Sequence, residues 1–231
     1  MKIQGSVALV TGANRGLGLA FAQALLAAGA RKVYAGARNP QSVTLPGVIP
    51  VELDVTKPEQ IEAAALSLGD VNLLINNAGI YRDSSLSGDD PTAVTRETFE
   101  TNFYGVLAVT KAFGPILAAN GGGAVANMLS VLSWVALPGS LAYSASKAAA
   151  LLLTDATRLE LAAQGTQVLA IHAGYIDTNL VADVDAPKTR PAVVARKTLE
   201  ALEAGRQEIL IDEISGQVKS QLSAPKPTVA A

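Results

Sequence analysis

The chain alternates short aliphatic runs with longer Ala- and Leu-rich stretches of mixed polarity. Residues 7–10, 32–37, 48–53, 72–75, 123–129, 167–171 and 208–211 read as strands, and most are apolar on both faces instead of alternating. Residues 17–28, 59–68, 92–119, 141–163 and 191–204 carry helical spacing, the first of them closed by Gly29. About ten residues separate the second and third strands, with turn signals at Asn39-Pro40 and Pro46-Gly47, so the helix expected there must be vestigial. Apolar strands separated by helices imply a parallel sheet covered on both faces, within a single domain over 1–231. A lid is expected near 180–191 and a frayed tail at 222–231.

Composition narrows the function classes. Apolar residues make up 49% of the chain, charged residues 16%, and the net charge is −2. No basic run suggests nucleic acid, and no long uncharged apolar stretch suggests a membrane span. The absence of cysteine excludes disulfides and thiolate metal sites and fits a cytoplasmic location. The apolar run near the N-terminus leads straight into a glycine motif without an Ala-x-Ala site, so it reads as a strand and not as a signal peptide.

That glycine motif is Thr11-Gly12-Ala13-Asn14-Arg15-Gly16-Leu17-Gly18, set between the first strand and the first helix. Glycines there let the backbone approach a pyrophosphate, which the helix N-terminus then attracts. A dinucleotide-binding, three-layer Rossmann-like doubly wound α/β fold is the expectation. An NAD site usually places an acid after the second strand, to hold the ribose 2′-hydroxyl. No Asp or Glu occurs from Leu19 through Val51, and Arg38 follows the strand instead. Arg38 and Arg15 suit a 2′-phosphate, so NADP(H) is expected over NAD(H).

Tyr143 and Lys147 lie four apart in a helical stretch and share a face, roughly 6 Å apart at Cβ. The ammonium is expected to draw the phenol's pKa from about 10 toward working pH, making it an acid–base group. His172, the single histidine, is at the end of a buried strand with no acid at useful spacing and reads as packing. Trp134, Leu137 and Tyr175 flank the catalytic loops and are candidate substrate-pocket residues. The acids between 180 and 191 match no metal-ligand pattern.

Five motifs in order resemble the compact short-chain dehydrogenase/reductase family: the glycine turn, Asp54-Val55, Asn76-Asn77-Ala78-Gly79, Ser130, and Tyr143-x-x-x-Lys147. Asn102 fits the family's helix asparagine, and the resemblance spans about residues 5 to 212. It implies Asn102, Ser130, Tyr143 and Lys147 as the catalytic set, with Ser133 ranked second to Ser130. It implies Gly12, Asn14, Arg15, Gly16, Leu17, Gly18, Arg38, Asp54, Val55, Asn77, Ala78, Gly79, Gly174, Ile176 and Thr178 as cofactor contacts, together with Tyr143 and Lys147. Asp54 would meet the adenine amino group, Asn102 would hold a water connecting Lys147 to solvent, and Ile176 and Thr178 would hold the nicotinamide end. Two departures stand out. Ala173 replaces a proline before Gly174, and residues 212–219 replace a glycine-rich C-terminal segment. The expected activity is NADPH-dependent reduction of aldehydes or ketones, by a homodimer or homotetramer joined through the two long helices. The alternatives are alcohol oxidation by the same residues and a non-catalytic NADP(H) sensor.

Overall fold

The computed structural model describes residues 1–224. Seven strands, β1 Val7–Thr11, β2 Lys32–Ala37, β3 Ile49–Glu52, β4 Leu73–Asn76, β5 Ala124–Met128, β6 Gln167–His172 and β7 Glu208–Leu210, form one parallel sheet in the order β3-β2-β1-β4-β5-β6-β7. The helices are α1 Gly16–Ala27, α2 Pro58–Ser67, α3 Pro91–Phe99, α4 Gly105–Ala119, α5 Leu141–Glu160, α6 Pro191–Glu203 and α7 Glu213–Ser220. The expected vestigial helix after β2 is a single 3-10 turn, Pro40–Ser42. The tail expected at 222–231 lies outside the described residues from 225 onward.

β1, β4 and β5 bury every side chain but Met128, which explains their unbroken apolar sequences. One core packs α1 and α6 against the sheet around Phe21, Leu25, Val194 and Leu202. The core on the other face gathers Ile61 of α2 and Val109, Phe113 and Leu117 of α4. Between β1 and β4 the strand order reverses direction, and open α/β sheets bind ligands in the crevice at such a point. Among the described residues no helix is long and apolar enough to cross a membrane, and no group of three or more His, Cys, Asp or Glu is placed to hold a metal.

Two elements differ from the sequence expectation. The long helix over 92–119 is split by a π-helical turn, Glu100–Tyr104, between α3 and α4. Such turns insert a residue without ending the helix, so apolar spacing alone does not show them. Residues 212–219, read only as a departure from the family pattern, supply the N-cap and most of α7. Asp212 caps that helix by accepting from Ser215 N at 2.8 Å, and the Ser215 hydroxyl donates back to the Asp212 carbonyl at 2.7 Å.

A polar relay runs through the core beneath the strand ends. The Asn76 amide donates to Asn127 Oδ1 at 2.9 Å and to Thr110 Oγ1 at 3.0 Å. Asn127 Nδ2 donates in turn to Thr154 Oγ1 at 3.0 Å, tying β4 and β5 to α4 and α5. All four residues are buried, so breaking the relay leaves unpaired groups where water does not reach. Asn127→Ala is expected to lower unfolding stability by about 2–3 kcal/mol. Urea titration reads this directly, and a loss below about 1 kcal/mol would show that the relay is not structurally important.

Candidate active site

A cleft of about 1220 Å³ opens along the carboxyl ends of the strands. Its wall includes every expected cofactor residue: the glycine turn from Gly12 to Gly18 through Asn14, Arg15, Gly16 and Leu17, then Arg38, Asp54 and Val55, Asn77 to Gly79, and Gly174, Ile176 and Thr178. Ser130, Tyr143, Lys147, Leu137 and Tyr175 line it as well. Asn102, Ser133, Trp134 and His172 do not.

Close packing builds the glycine end. A Cβ on Gly18 would fall 2.1 Å from the Gly12 carbonyl oxygen, and one on Gly12, at φ +67°, would fall 3.1 Å from Ala78 Cα. Asn77 Nδ2 donates to the Thr11 carbonyl at 2.9 Å, while the Thr11 hydroxyl accepts from Asn77 N and Ala78 N at 3.0 Å each. Asn77 thereby ties the ends of β1 and β4 together. The Arg15 side chain makes no capping bond, which leaves the first N–H groups of α1 facing the cleft. Arg15 and Arg38 are exposed and form no ion pair among the described residues. Asp54 accepts from Thr56 N at 3.0 Å and Thr56 Oγ1 at 2.8 Å, which fixes its carboxylate at the end of β3.

At the other end Ser130 follows β5. Its hydroxyl accepts from Leu132 N at 3.1 Å, so its own proton is free to donate. Ser133 closes the cap from below, accepting from Ser130 N at 3.3 Å, and so plays a supporting part. Tyr143 packs against Tyr81, with ring centres 5.2 Å apart, and keeps an edge open to the cleft. Lys147 is buried and donates to the Met128 carbonyl at 2.8 Å.

The charge states differ from the expectation. Burial pushes the Tyr143 phenol up to about 12, against a weaker downward pull from hydrogen bonding by Ser130. Burial likewise pushes Lys147 down to about 8. The predicted fall of the phenol's pKa does not appear, because the ammonium faces the Met128 carbonyl and stands 5.6 Å from the Tyr143 ring centre. Desolvation, invisible in the spacing of two residues, outweighs the attraction here.

Asn102 lies in the π-helical turn, fully buried behind the cleft wall. Its Oδ1 accepts from Ile80 N at 2.9 Å, and its Nδ2 donates to the Ile80 carbonyl at 2.9 Å and to Ser146 Oγ at 3.1 Å. In this structure the side chain clamps the loop after β4 to α5.

Trp134 corrects the pocket expectation. Its ring stacks on His172, centres 3.9 Å apart, and lies outside the cleft wall. His172 is fully buried as expected, with Nδ1 3.2 Å from the Ser130 carbonyl. An acid does approach it: Glu208 Oε1 lies 3.5 Å from Nε2, brought there by the β6–β7 pairing. Lys219 engages that carboxylate at 2.7 Å, and Nε2 has no hydrogen-bond partner. Leu180, Val181 and Val184, from the segment expected as a lid, line the cleft too, as do residues the sequence reading did not name, among them Tyr81 and Ile214 and Val218 of α7. The i, i+4 spacing of Ile214 and Val218 was the available signal.

The short chain dehydrogenase family model matches residues 6–189. A curated relative, dehydrogenase/reductase SDR family member 7B of Xenopus tropicalis, is 31% identical over 260 residues, covering 98% of this chain and 84% of that protein. A short-chain dehydrogenase from Burkholderia cenocepacia, solved in complex with NADP, superposes with a TM-score of 0.93 at 43% identity, covering 98% of this chain and 96% of that one. A gluconate 5-dehydrogenase from the same organism, solved with NADP and tartrate, gives a TM-score of 0.84 at 25% identity, covering 95% of this chain and 98% of that one. The chain belongs to the short-chain dehydrogenase/reductase family and is an oxidoreductase of that class.

His172 generates a pH prediction. Burial holds it near 4, below its ordinary 6.5, although the Ser130 carbonyl and Glu208 pull it partway back and Lys219 opposes them. The native state thus resists a proton that the unfolded chain accepts. The contribution is intact above pH 6.5 and is lost as pH falls toward 4, by about 3 kcal/mol at the limit. Denaturant titrations at pH 7, 5 and 4 should show His172→Phe losing less stability across this range than wild type. Parallel losses would contradict the assignment.

Proposed function

We propose that the protein reduces aldehydes or ketones to alcohols, with NADPH as the hydride donor. The observation that carries this reading is the meeting, in one cleft, of Ser130, Tyr143 and Lys147 with a glycine turn and two arginines that form no ion pair among the described residues. The glycine end fits a dinucleotide: Gly12 and Gly18 leave no room for side chains, and the first N–H groups of α1 are uncapped. Arg38 and Arg15 would hold a 2′-phosphate, and Asp54 the adenine. Ile176 and Thr178 would hold the carboxamide end, and Lys147 the nicotinamide ribose.

When bound, NADPH supplies the hydride. The chain supplies the proton and the place for developing charge. Tyr143, with a pKa of about 12, is protonated at neutral pH and donates to the carbonyl oxygen as that oxygen becomes alkoxide. Ser130 donates a hydrogen bond to the same oxygen, worth about 3 kcal/mol. Lys147 is cationic at pH 7 even with its pKa lowered to about 8, and it sits where it can restore the proton balance of the phenol. Asn102 acts through position: a Cβ on Gly79 would lie 3.3 Å from Asn102 Oδ1 and 3.8 Å from Lys147 Nζ, so the clamp borders the ammonium. Leu180 and its neighbours form a lid over the substrate. Alcohol oxidation would use the same residues in reverse, with the phenolate as base. Oligomerisation through α4 and α5 belongs to the same proposal, supported by the exposed Tyr104 beside α4, Leu107 on α4, and Leu152 and Leu159 on α5.

Tyr143→Phe is expected to cut carbonyl-dependent NADPH oxidation by at least about 10²–10⁴-fold while the Kd for NADPH stays within about twofold. Retained turnover would sink the acid assignment, and tight NADPH binding by a wild type inert toward a broad carbonyl panel would favour the sensor. Arg38→Ala should reduce the NADPH-over-NADH preference in kcat/KM by about 10–100-fold, the loss of one charge-assisted contact. An unchanged ratio would place the 2′-phosphate elsewhere.

A further inference from the structure

The two ends of the cleft differ in charge. At the glycine end Arg15 and Arg38 form no ion pair among the described residues. At the substrate end the two cations are engaged: Lys147 is buried on the Met128 carbonyl, and Arg82 pairs with Glu97 at 3.1 Å. Beyond the two arginines of the glycine end, the cleft is lined by no unpaired cation among the described residues.

The same end is walled by α7, which is fixed at both of its ends. At its start Asp212 Oδ2 accepts from Gly174 N at 2.8 Å, on the loop that follows β6. At its finish Lys219 bonds Glu208 at 2.7 Å and lies 4.8 Å from the Trp134 ring centre. Between these anchors α7 packs on the turn Val131–Ser133, which directly follows Ser130. Ile214 and Val218, one helical turn apart, therefore share a face beside the reacting groups. Leu180, Val181 and Val184 line the cleft from the 3-10 turn that follows β6 and the residues after it. Ile214 remains 39% exposed, an apolar surface that no other part of the described chain covers.

We infer that the substrate is an uncharged carbonyl compound bearing a bulky apolar group seated against α7, and that Ile214 and Val218 are specificity-determining residues. This rests on the carbonyl-reductase reading above. A carboxylate or phosphate on the substrate would meet this apolar wall with no free cation among the described residues to pair with it. An aryl or branched alkyl group would instead cover Ile214 and Val218 and gain their burial.

The test uses the full chain with NADPH and three carbonyls: 4-methylacetophenone, 4-acetylbenzoate, and acetaldehyde as a small reference. At pH 7 and low salt, kcat/KM for 4-methylacetophenone should exceed that for 4-acetylbenzoate by at least about 100-fold, equivalent to about 2.7 kcal/mol. Ile214→Lys should narrow this gap at least about tenfold by gaining activity on the anion. Ile214→Ala should raise KM for 4-methylacetophenone while leaving acetaldehyde kinetics and the NADPH Kd within about twofold, which excludes a folding defect. Equal kcat/KM for the two aryl ketones overturns the inference alone, and an unchanged ratio in Ile214→Lys removes α7 from it. No NADPH oxidation with any of the three overturns the carbonyl-reductase reading and this inference together.

Discussion

Helix α1 approaches the end of β1 so closely that Gly18 has no room for a side chain over the Gly12 carbonyl. That contact depends on the strand order reversing between β1 and β4, which opens the crevice, and on Asn77 and Thr11 fixing the two strand ends together. Because the approach is tight, the backbone of the glycine turn borders the cleft at the uncapped start of α1, the arrangement an anionic pyrophosphate needs. Several other candidate groups stand just past strand ends on the same side of the sheet. Arg38 follows β2, Asp54 follows β3, Ser130 follows β5 and Gly174 follows β6.

The catalytic end is held by buried polar groups, each with a partner. Asn76, Asn127 and Thr154 relay hydrogen bonds under the cleft, and Asn102 joins the loop after β4 to α5. These contacts fix the helix that carries Tyr143 and Lys147 relative to the strand that delivers Ser130. The electrostatic consequence is that both titrating groups are desolvated and move toward their neutral forms. A phenol kept protonated beside a donor hydroxyl suits proton delivery to an oxygen gaining negative charge.

Much of this was legible in the sequence because it depends on local pattern. Apolar strands marked the parallel sheet, the glycine turn marked the crevice, and the family motifs singled out Ser130, Tyr143 and Lys147, which the fold brings to one cleft. What was not legible depends on distant packing. The π-helical turn at Asn102 leaves no periodic trace, and the approach of Glu208 to His172 arises from pairing of strands 36 residues apart. The direction of the Tyr143 shift depends on solvent exclusion by the whole fold. Trp134 is near the reacting residues in sequence yet stacks on His172 and stays out of the cleft wall, a contact that its sequence position does not show. Helix α7 is short, and its capping pair Asp212 and Ser215 was the signal that could have identified it.

The central claim is that a carbonyl carbon accepts hydride from NADPH while Tyr143 protonates the oxygen. Incubating the protein with 4-methylacetophenone and NADPH deuterated at the transferable C4 position tests it most directly, by mass analysis of the product. The account predicts an alcohol with one deuterium on the former carbonyl carbon, formed one for one with oxidised cofactor. An alcohol without the label, or cofactor oxidation without alcohol, would contradict it.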